Sequence, residues 1–250
     1  HCSGPAAGLG PRRRCHTAPG SHNRWLALPA CQAGLRVEDT WQAMSARASM
    51  SNDVVMEDVF VPEELAPLDN RPAPHQPWLP DGPPALRVPS RTRVWMPAMM
   101  LGIAQVALED TVESAKAESM AQGGQSRSSM PGNQFAVADA AMAIESARAF
   151  LYQETRAITA KAEAGEQFTV EDAARFQMAG LVARENAQKA VERLFGVRGT
   201  HGLFESGDFE RYYRDVRMGT LHALTTPDLV REEVGKHLLG ISMDVQPRWG

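Results

Sequence analysis

Three long segments in which apolar residues recur at helical spacing constrain the fold of this chain more than any other feature. They cover about 96–120, 133–165 and 169–196. A glycine- and serine-rich run at 123–132 separates the first two segments, because such residues interrupt helices. Long helices joined by short loops pack as antiparallel bundles, so the sequence predicts a mainly α protein.

The second of these segments shows the expected core face most clearly. Asn133 is predicted to cap it and Gly165 to end it. The apolar face is predicted to consist of Phe135, Ala138, Ala141, Ile144, Ala147, Leu151 and Ile158. Because most of these side chains are small, we expect close approach between neighbouring helices. In the third segment, Thr169 and Asp172 predict the start of the helix.

A fourth helical region spans 209–240 and is interrupted around His222. Beyond the interruption, Thr226 suits an N-cap, Pro227 suits the first helical position, and Gly240 suits the residue past the helix end. Together with the three earlier segments, this region predicts an antiparallel four-helix bundle over residues 91–250.

Two local interpretations concern the basic, aromatic turn of this fourth region. Arg214 and Asp215 are predicted to form a structural ion pair. Tyr212 and Tyr213 are predicted to lie in the core or in an interface rather than to act in catalysis. The methionines Met96, Met99 and Met100 in the first segment are predicted to fill the core, unless they border a substrate channel.

The residues before the bundle differ in character. Residues 1–36 show no regular periodicity and are predicted to be a disordered or ill-defined leader. Residues 37–62 are β-rich and are predicted to form two short strands, at about 40–48 and 52–60, that end a larger β-domain. Residues 63–90 are rich in proline and are predicted to be a linker.

Composition excludes several functional classes. The formal net charge is −4, which argues against nucleic acid as the main partner because such binding needs a concentrated basic face. No apolar run approaches the ~20 residues that span a bilayer, so we expect a soluble, cytoplasmic protein. Cys2, Cys15 and Cys31 all lie in the leader and fit no zinc-binding spacing, so no metal site is predicted.

Three sequence runs carry a resemblance to a known family. They are RYYRDVRMGTLH at 211–222, LGIAQVALEDTVESAK at 101–116 and SARASMSNDVVMEDVFVPEE at 45–64. In this order they resemble flavin-dependent monooxygenases built on the acyl-CoA dehydrogenase fold, a group that includes dibenzothiophene monooxygenase and the oxygenase component of p-hydroxyphenylacetate hydroxylase. The resemblance covers about 38–245 and implies the C-terminal portion of such an enzyme.

The resemblance implies a catalytic role for His222. Acyl-CoA dehydrogenases use a carboxylate base, and in the register of this run Ala223 stands where that base would lie. In the monooxygenase branch, a histidine at the position of His222 lies near the flavin and assists its reaction with oxygen. The alternative interpretation is a histidine that serves only the loop or a helix cap.

The resemblance also implies residues that bind the flavin. Arg127 corresponds to an arginine that clamps the flavin phosphate of a neighbouring subunit; the alternative is a solvated loop charge. The run RLFGVRGTHG resembles a glycine-bearing turn whose backbone approaches the phosphates, with Gly199, Thr200 and His201 as contacts; a simple helix stop is the alternative. Met50 departs from the pattern, since the family usually has glycine there.

The function implied by the resemblance is that of a flavin-dependent oxidoreductase. In its two-component form, a separate flavin reductase supplies reduced flavin (FMN or FAD), and the enzyme uses it with O2 to oxygenate an aromatic or organosulfur substrate. The alternatives are an acyl-CoA dehydrogenase that uses FAD and a non-catalytic remnant of the bundle. The resemblance further implies a homo-oligomer, a dimer of dimers, and a chain that is inactive without the rest of the enzyme.

Overall fold

The computed structural model describes residues 26–66, 94–117, 126–221 and 226–241. The chain divides into two compact units. Unit 1 comprises His1–Ala43 and Arg47–Arg71, and unit 2 comprises Met44–Ala46 and Pro72–Gly250. His222 and the proline-rich run that begins at Pro67 lie outside the described residues.

Unit 1 contains a two-stranded antiparallel sheet in its described part. Strand β1 is Leu35–Glu38 and strand β2 is Asp53–Met56, with Leu35 opposite Met56. The predicted strand at 40–48 is wrong. The Asn52 side-chain oxygen accepts hydrogen bonds from the backbone N–H groups of Thr40 (3.1 Å) and Trp41 (2.9 Å), and this holds the segment in a turn.

Gly34 fixes the start of the sheet. Its φ angle is +84°, and a Cβ atom at this position would collide with the carbonyl oxygen of Glu57, so only glycine fits. The backbone N–H of Glu57 donates to the carbonyl of Gly34 at 2.8 Å. Cys31, a few residues earlier, is disulfide-bonded, which the sequence analysis did not predict.

The described part of unit 2 consists of five α-helices. They are α1 (Trp95–Ala117), α2 (Pro131–Ala164), α3 (Val170–Arg198), α4 (Phe209–Leu221) and α5 (Pro227–Leu238). Short 3-10 helices occur at Arg127–Ser129 and Gly199–Leu203. Helix α3 packs against each of the other four helices. The prediction of a mainly α chain with a C-terminal helical bundle is confirmed, and the broken fourth region corresponds to α4 and α5.

Helix α3 starts as the sequence predicts, and its end is displaced by two residues. Thr169 accepts a hydrogen bond from the backbone N–H of Asp172, and the Asp172 carboxylate accepts one in return from the N–H of Thr169. This is a capping box, which satisfies two backbone donors at once. The helix continues past Gly196 to Arg198 and ends at Gly199, whose φ of +62° and ψ of −152° favour glycine.

Helix α2 ends as predicted but begins earlier. Gly165 (φ +70°) closes it, with the backbone N–H of Glu166 donating to the carbonyl of Lys161 at 3.0 Å. The predicted cap at Asn133 is wrong, since the N-cap is Met130 and Pro131 is the first helical residue. The Asn133 side chain is buried instead and donates to the backbone carbonyl of Arg127 at 2.9 Å.

The start and end of α5 also follow the sequence signals. Pro227 is the first helical residue after the N-cap Thr226, whose side chain makes no capping hydrogen bond. Gly240 has a φ of +67°, and the N–H of Ile241 donates to the carbonyl of Lys236 at 2.8 Å. This six-to-one hydrogen bond is typical of a helix that ends on a left-handed glycine.

Alanines line much of the core of unit 2. The fully buried side chains include Ala104, Ala107, Ala136, Ala140, Ala147, Ala179, Ala183 and Ala187. The predicted face of α2 is partly wrong, because Phe135 and Ala138 are exposed and Ala136 and Ala140 take their places. Alanine occurs on both sides of this helix, so its spacing carries little information about which side is buried. In α1, Met96 and Met100 are core residues as predicted, but Met99 is exposed.

Candidate functional site

An exposed turn follows the end of α3. It begins at Gly199, whose φ of +62° and ψ of −152° are conformations that other residues adopt only with strain. No atom outside the adjoining residues lies within 4 Å of the place where a Cβ atom would stand, so the backbone here is open to approach. Thr200 and His201 are exposed on the same turn. The structure therefore places these three predicted contacts together.

Arg127 lies beside this turn. The 3-10 helix that carries it is fixed by Ser126, whose hydroxyl donates to the carbonyl of Ala115 at 2.7 Å. The Arg127 guanidinium Nη2 donates to the backbone carbonyl of Val197, two residues before Gly199. Arg127 and Val197 are 70 residues apart in sequence, and the fold brings Arg127 to the end of α3 that carries the Gly199 turn.

Arg198 is a residue that sequence reasoning missed at this site. Only 14% of its side chain is exposed, and its Nη2 atom lies 3.5 Å from the Asp110 carboxylate. Its guanidinium carbon lies 5.3 Å from the centre of the Phe209 ring. Within the described part of the chain, Nε and Nη1 are buried and have no hydrogen-bond partner. No pattern in the sequence distinguishes this arginine from a surface one.

The basic groups at this turn favour an anion. Arg198 and His201 lie within two residues of Gly199 in sequence. Arg127 is joined to the same turn by its hydrogen bond to the carbonyl of Val197. The Arg127 guanidinium lies beside the open backbone at Gly199, whereas Nε and Nη1 of Arg198 are enclosed by protein atoms. Phosphate oxygens accept hydrogen bonds from guanidinium and backbone N–H groups, which are the donor types found at this turn.

Aromatic side chains of α3 and α4 stack on one another next to this turn. The Phe195 ring stacks on Tyr213 with 4.5 Å between ring centres and on Phe209 with 6.0 Å. Arg217 lies over the Tyr213 ring at 4.7 Å and donates to its hydroxyl at 2.6 Å. The prediction that Tyr212 and Tyr213 pack against the core is confirmed. Burial, together with the carboxylate charges of the neighbouring Asp208 and Asp110, raises the pKa of Tyr212, so this phenol stays protonated near neutral pH.

The predicted ion pair between Arg214 and Asp215 is wrong. Arg214 instead pairs with Glu210 one turn earlier on α4, with Nη2 donating to Oε1 at 2.9 Å, and this pairing raises the pKa of Arg214. Neighbouring residues on a helix point in different directions, whereas residues four apart share a face. The Asp215 carboxylate accepts from the backbone N–H of Ala46 at 2.8 Å, within unit 2.

The end of α4 is held firmly just before His222, the predicted catalytic residue. A Cβ atom on Gly219 would lie 2.6 Å from the Cγ and Sδ atoms of Met100. The buried Arg184 donates from Nη1 to the carbonyl of Gly219 at 2.8 Å and from Nε to that of Gly180 at 3.2 Å. Burial lowers the pKa of Arg184, but an arginine remains charged at neutral pH.

Two kinds of feature are absent from the described ranges. In those ranges, no group of three or more His, Cys, Asp or Glu side chains is placed to hold a metal ion. None of the helices there combines the length and the apolar character needed to cross a bilayer.

The fold is therefore that of an α-helical bundle domain. A basic turn lies at the end of its central helix, α3. Comparison with known proteins identifies the family. The family described as acyl-CoA dehydrogenase, C-terminal domain, matches residues 94–227, which is more than half of the chain. The chain belongs to this family, and the resemblance inferred from the sequence is confirmed.

The relatives of this chain include a monooxygenase and an acyl-CoA dehydrogenase. An indole-3-acetate monooxygenase of Acinetobacter baumannii is 24% identical over 80% of this chain and 50% of the relative. The mitochondrial short-chain specific acyl-CoA dehydrogenase of Sus scrofa is 29% identical over 85% of this chain and 47% of the relative. The chain thus spans about half the length of these curated relatives.

A solved structure supports the fold assignment. It is that of XiaF from Streptomyces sp. in complex with FADH2 and glycerol, with a TM-score of 0.74 and 24% sequence identity. The match covers 85% of this chain and 55% of XiaF. At this level of identity the similarity establishes the fold, and the function requires separate argument.

Proposed function

We propose that this chain is the C-terminal portion of a flavin-dependent oxidoreductase of the two-component monooxygenase type. Such an enzyme uses reduced flavin and O2 to oxygenate an aromatic or organosulfur substrate. The similarity to an indole-3-acetate monooxygenase and to XiaF, which was solved with FADH2, supports this proposal. The substrate assignment belongs to the whole enzyme, of which this chain spans about half.

The observation that carries the proposal is the meeting of Arg127 with the Gly199 turn. Both were assigned to the flavin phosphates on sequence resemblance alone, and they lie together at one end of α3. Arg198, the last residue of α3, adds positive charge directly before Gly199, while its Nε and Nη1 atoms are enclosed by the protein within the described part of the chain. A flavin carries at least one phosphate, so its anionic end matches the charge of this turn.

The residues of the turn have distinct roles in this proposal. Arg127 binds a phosphate oxygen with its fork of donors, and the backbone at Gly199 approaches the phosphate because no side chain intervenes. Thr200 and His201 donate further hydrogen bonds. When bound, the flavin supplies the electrons that activate oxygen. His222 is proposed to donate a hydrogen bond near the flavin ring, a role for which imidazole is suited because it titrates near neutral pH.

An acyl-CoA dehydrogenase that uses FAD is the second candidate. The 29% identity to the short-chain enzyme of Sus scrofa favours it. Alanine at position 223 counts against it, because alanine cannot remove the α-proton of an acyl-CoA. Turnover of an acyl-CoA with an artificial electron acceptor would support this candidate over the monooxygenase.

Three further properties belong to the same proposal. A separate flavin reductase is the electron source, the chain self-associates as a dimer of dimers, and the enzyme is cytoplasmic. The family resemblance supports the flavin reductase as electron source and the dimer of dimers. The near-neutral charge balance and the lack of long apolar runs are compatible with the third.

Titration with flavin tests the proposal directly. The purified chain is titrated anaerobically with reduced FMN and with reduced FAD, and binding is followed by fluorescence and by calorimetry. We expect saturable binding that Arg127→Ala weakens about tenfold or more, since a charge-assisted hydrogen bond is lost. Arg231→Ala is the matched control, because Arg231 is an exposed arginine that pairs with Glu185 on the surface.

The possible outcomes separate the candidates. Binding that Arg127→Ala and Arg231→Ala weaken equally would show that flavin does not use the Gly199 turn. No binding of either reduced flavin would contradict the proposal and favour a non-catalytic remnant bundle.

A further inference from the structure

Asn133 links the first turn of α2 to a residue that precedes the helix. It is the third residue of α2, and only 7% of it is exposed. Its side-chain nitrogen Nδ2 donates to the backbone carbonyl of Arg127 at 2.9 Å. Arg127 lies six residues earlier, in the 3-10 helix Arg127–Ser129. The bond therefore ties α2 to the residue whose guanidinium meets the end of α3 beside Gly199.

This hydrogen bond differs from those that start a helix. A polar side chain at the third helical position usually stabilises a helix by accepting from the backbone N–H of the N-cap residue, as Asp172 does from Thr169 in α3. Asn133 uses a donor instead, and its partner is a carbonyl outside α2. The contribution of this bond is thus to the geometry of the turn that precedes the helix.

The backbone of Arg127 is held from two further sides. Its carbonyl also accepts from the backbone N–H of Met130 at 3.1 Å. The hydroxyl of Ser126, directly before it, donates to the carbonyl of Ala115 at 2.7 Å. The turn is therefore attached to α1 as well as to α2, and these bonds fix the point from which the Arg127 side chain leaves the backbone.

The side chain of Arg127 is held at its far end. Its Nη2 atom donates to the carbonyl of Val197, close to the end of α3. A long side chain loses conformational freedom when it binds a ligand, unless the protein has already ordered it. A guanidinium presents its donors as a planar fork, so its use for an anion depends on its direction. Fixing both ends of Arg127 sets this direction before a ligand binds.

We propose that Asn133 is a positioning residue for anion binding at the Gly199 turn. It acts through Arg127, since its own side chain is buried and bonded to the Arg127 backbone. When Asn133 is replaced, the turn loses one anchor, and the guanidinium samples directions that do not face Gly199. This role rests on the proposed function, in which Arg127 binds a phosphate of the flavin.

Limited proteolysis of the flavin-free chain tests whether Asn133 holds the turn. Trypsin cleaves after arginine in segments that open, so the rate of cleavage after Arg127 reports how firmly this turn is held. We expect Asn133→Ala to raise this rate about fivefold, because one buried hydrogen bond is lost. Mass spectrometry of the fragments identifies the cleaved bond.

Asn186→Ala is the matched control for this assay. The Asn186 side chain in α3 donates to the backbone carbonyl of Ala143 in α2 at 3.2 Å, which is the same kind of bond at another place in the bundle. This variant should leave the rate of cleavage after Arg127 within about twofold of the wild type, since distant sites act independently.

Asn133→Leu separates the lost donor from a lost side-chain volume. Leucine fills a similar volume but cannot donate a hydrogen bond, so this variant should be cleaved after Arg127 as fast as Asn133→Ala. Circular dichroism melts identify a temperature at which every variant is folded, and the assays are made at that temperature.

Flavin titration tests whether the held turn matters for binding. Reduced FMN and reduced FAD are titrated anaerobically against the wild type, both single variants Asn133→Ala and Arg127→Ala, and the double variant. We expect Asn133→Ala to weaken binding about three- to tenfold, but by less than about twofold when Arg127 is already alanine, because Arg127 carries the effect. A residue with only a structural role would lower the melting temperature equally in both backgrounds and leave the affinity unchanged.

The possible results keep this role distinct from flavin binding itself. Cleavage after Arg127 at the wild-type rate in both Asn133 variants would overturn the inference. So would an effect of Asn133→Ala on flavin affinity that is absent, or one that persists undiminished without the Arg127 side chain. A wild-type chain that binds neither flavin would contradict the proposed function, and proteolysis would then decide alone whether Asn133 positions Arg127.

Discussion

Replacing Gly219 by alanine tests the close packing between α4 and α1. A Cβ atom at this position would lie 2.6 Å from the Cγ and Sδ atoms of Met100, a side chain with no exposed surface. Carbon atoms normally come no closer than about 3.5 Å, so the overlap is about 1 Å. Since Met100 is surrounded by the core, it cannot move away freely, and α4 or α1 must shift.

The size of the effect follows from two opposing contributions. Overpacking of a tight core costs about 1–3 kcal/mol, whereas replacing a mid-helix glycine by alanine gains about 0.5–1 kcal/mol. We therefore expect Gly219→Ala to lower the free energy of unfolding by about 1–2 kcal/mol. For a domain of this size, each kcal/mol lowers the melting temperature by about 2–4 °C.

Chemical denaturation and thermal melts measure this change. Gly102→Ala in α1 is the control, because no atom lies within 4 Å of its added Cβ, and it should stabilise by about 0.5–1 kcal/mol. In a Met100→Ala background the overlap is gone, so Gly219→Ala should also become stabilising. The reasoning is refuted if Gly219→Ala is as stable as Gly102→Ala in the wild-type background.

Three further changes probe other parts of unit 2. Burial opposes ionisation of Asp172, but hydrogen bonds from Lys161 and Thr169 outweigh it and lower its pKa below 3.8. Asp172→Asn should therefore lower the free energy of unfolding by about 1 kcal/mol at neutral pH. In melts, this difference from the wild type should vanish as the pH falls below 3.8, and a difference that stays constant would contradict the explanation. Arg175→Ala should lower the melting temperature more than Glu154→Leu, because it leaves the buried Glu154 carboxylate unpaired, and the reverse order would exclude that explanation. Gly199→Ala should cost about 1–2 kcal/mol in urea denaturation through its positive φ alone, and no change would show that the turn relaxes.

The fold was largely predictable because its signals are local. The capping box at Thr169 and the left-handed glycines Gly165 and Gly240 mark helix ends by the chemistry of a few adjacent residues. The β-rich segment was harder. The turn at 40–52 depends on the Asn52 side chain, which accepts a hydrogen bond from a backbone N–H group 12 residues earlier. Strand propensity describes single residues and does not predict such a contact.

The candidate site was predictable only in part. Gly199 and Arg127 were assigned by resemblance, but their meeting through Val197 is a property of the folded bundle. Arg198 was missed because its burial depends on Asp110 and Phe209, which come from two other helices. The role of His222, which lies outside the described residues, remains a prediction.

The position of α3 among the other helices has a dynamic consequence. A segment that contacts every other helix can lose its backbone hydrogen bonds only when the whole bundle opens, so its central amides should exchange with solvent most slowly. The glycine turn is attached directly to this slowest-exchanging segment. A ligand held there would thus meet a preorganised backbone, and would lose little affinity to the ordering of loops.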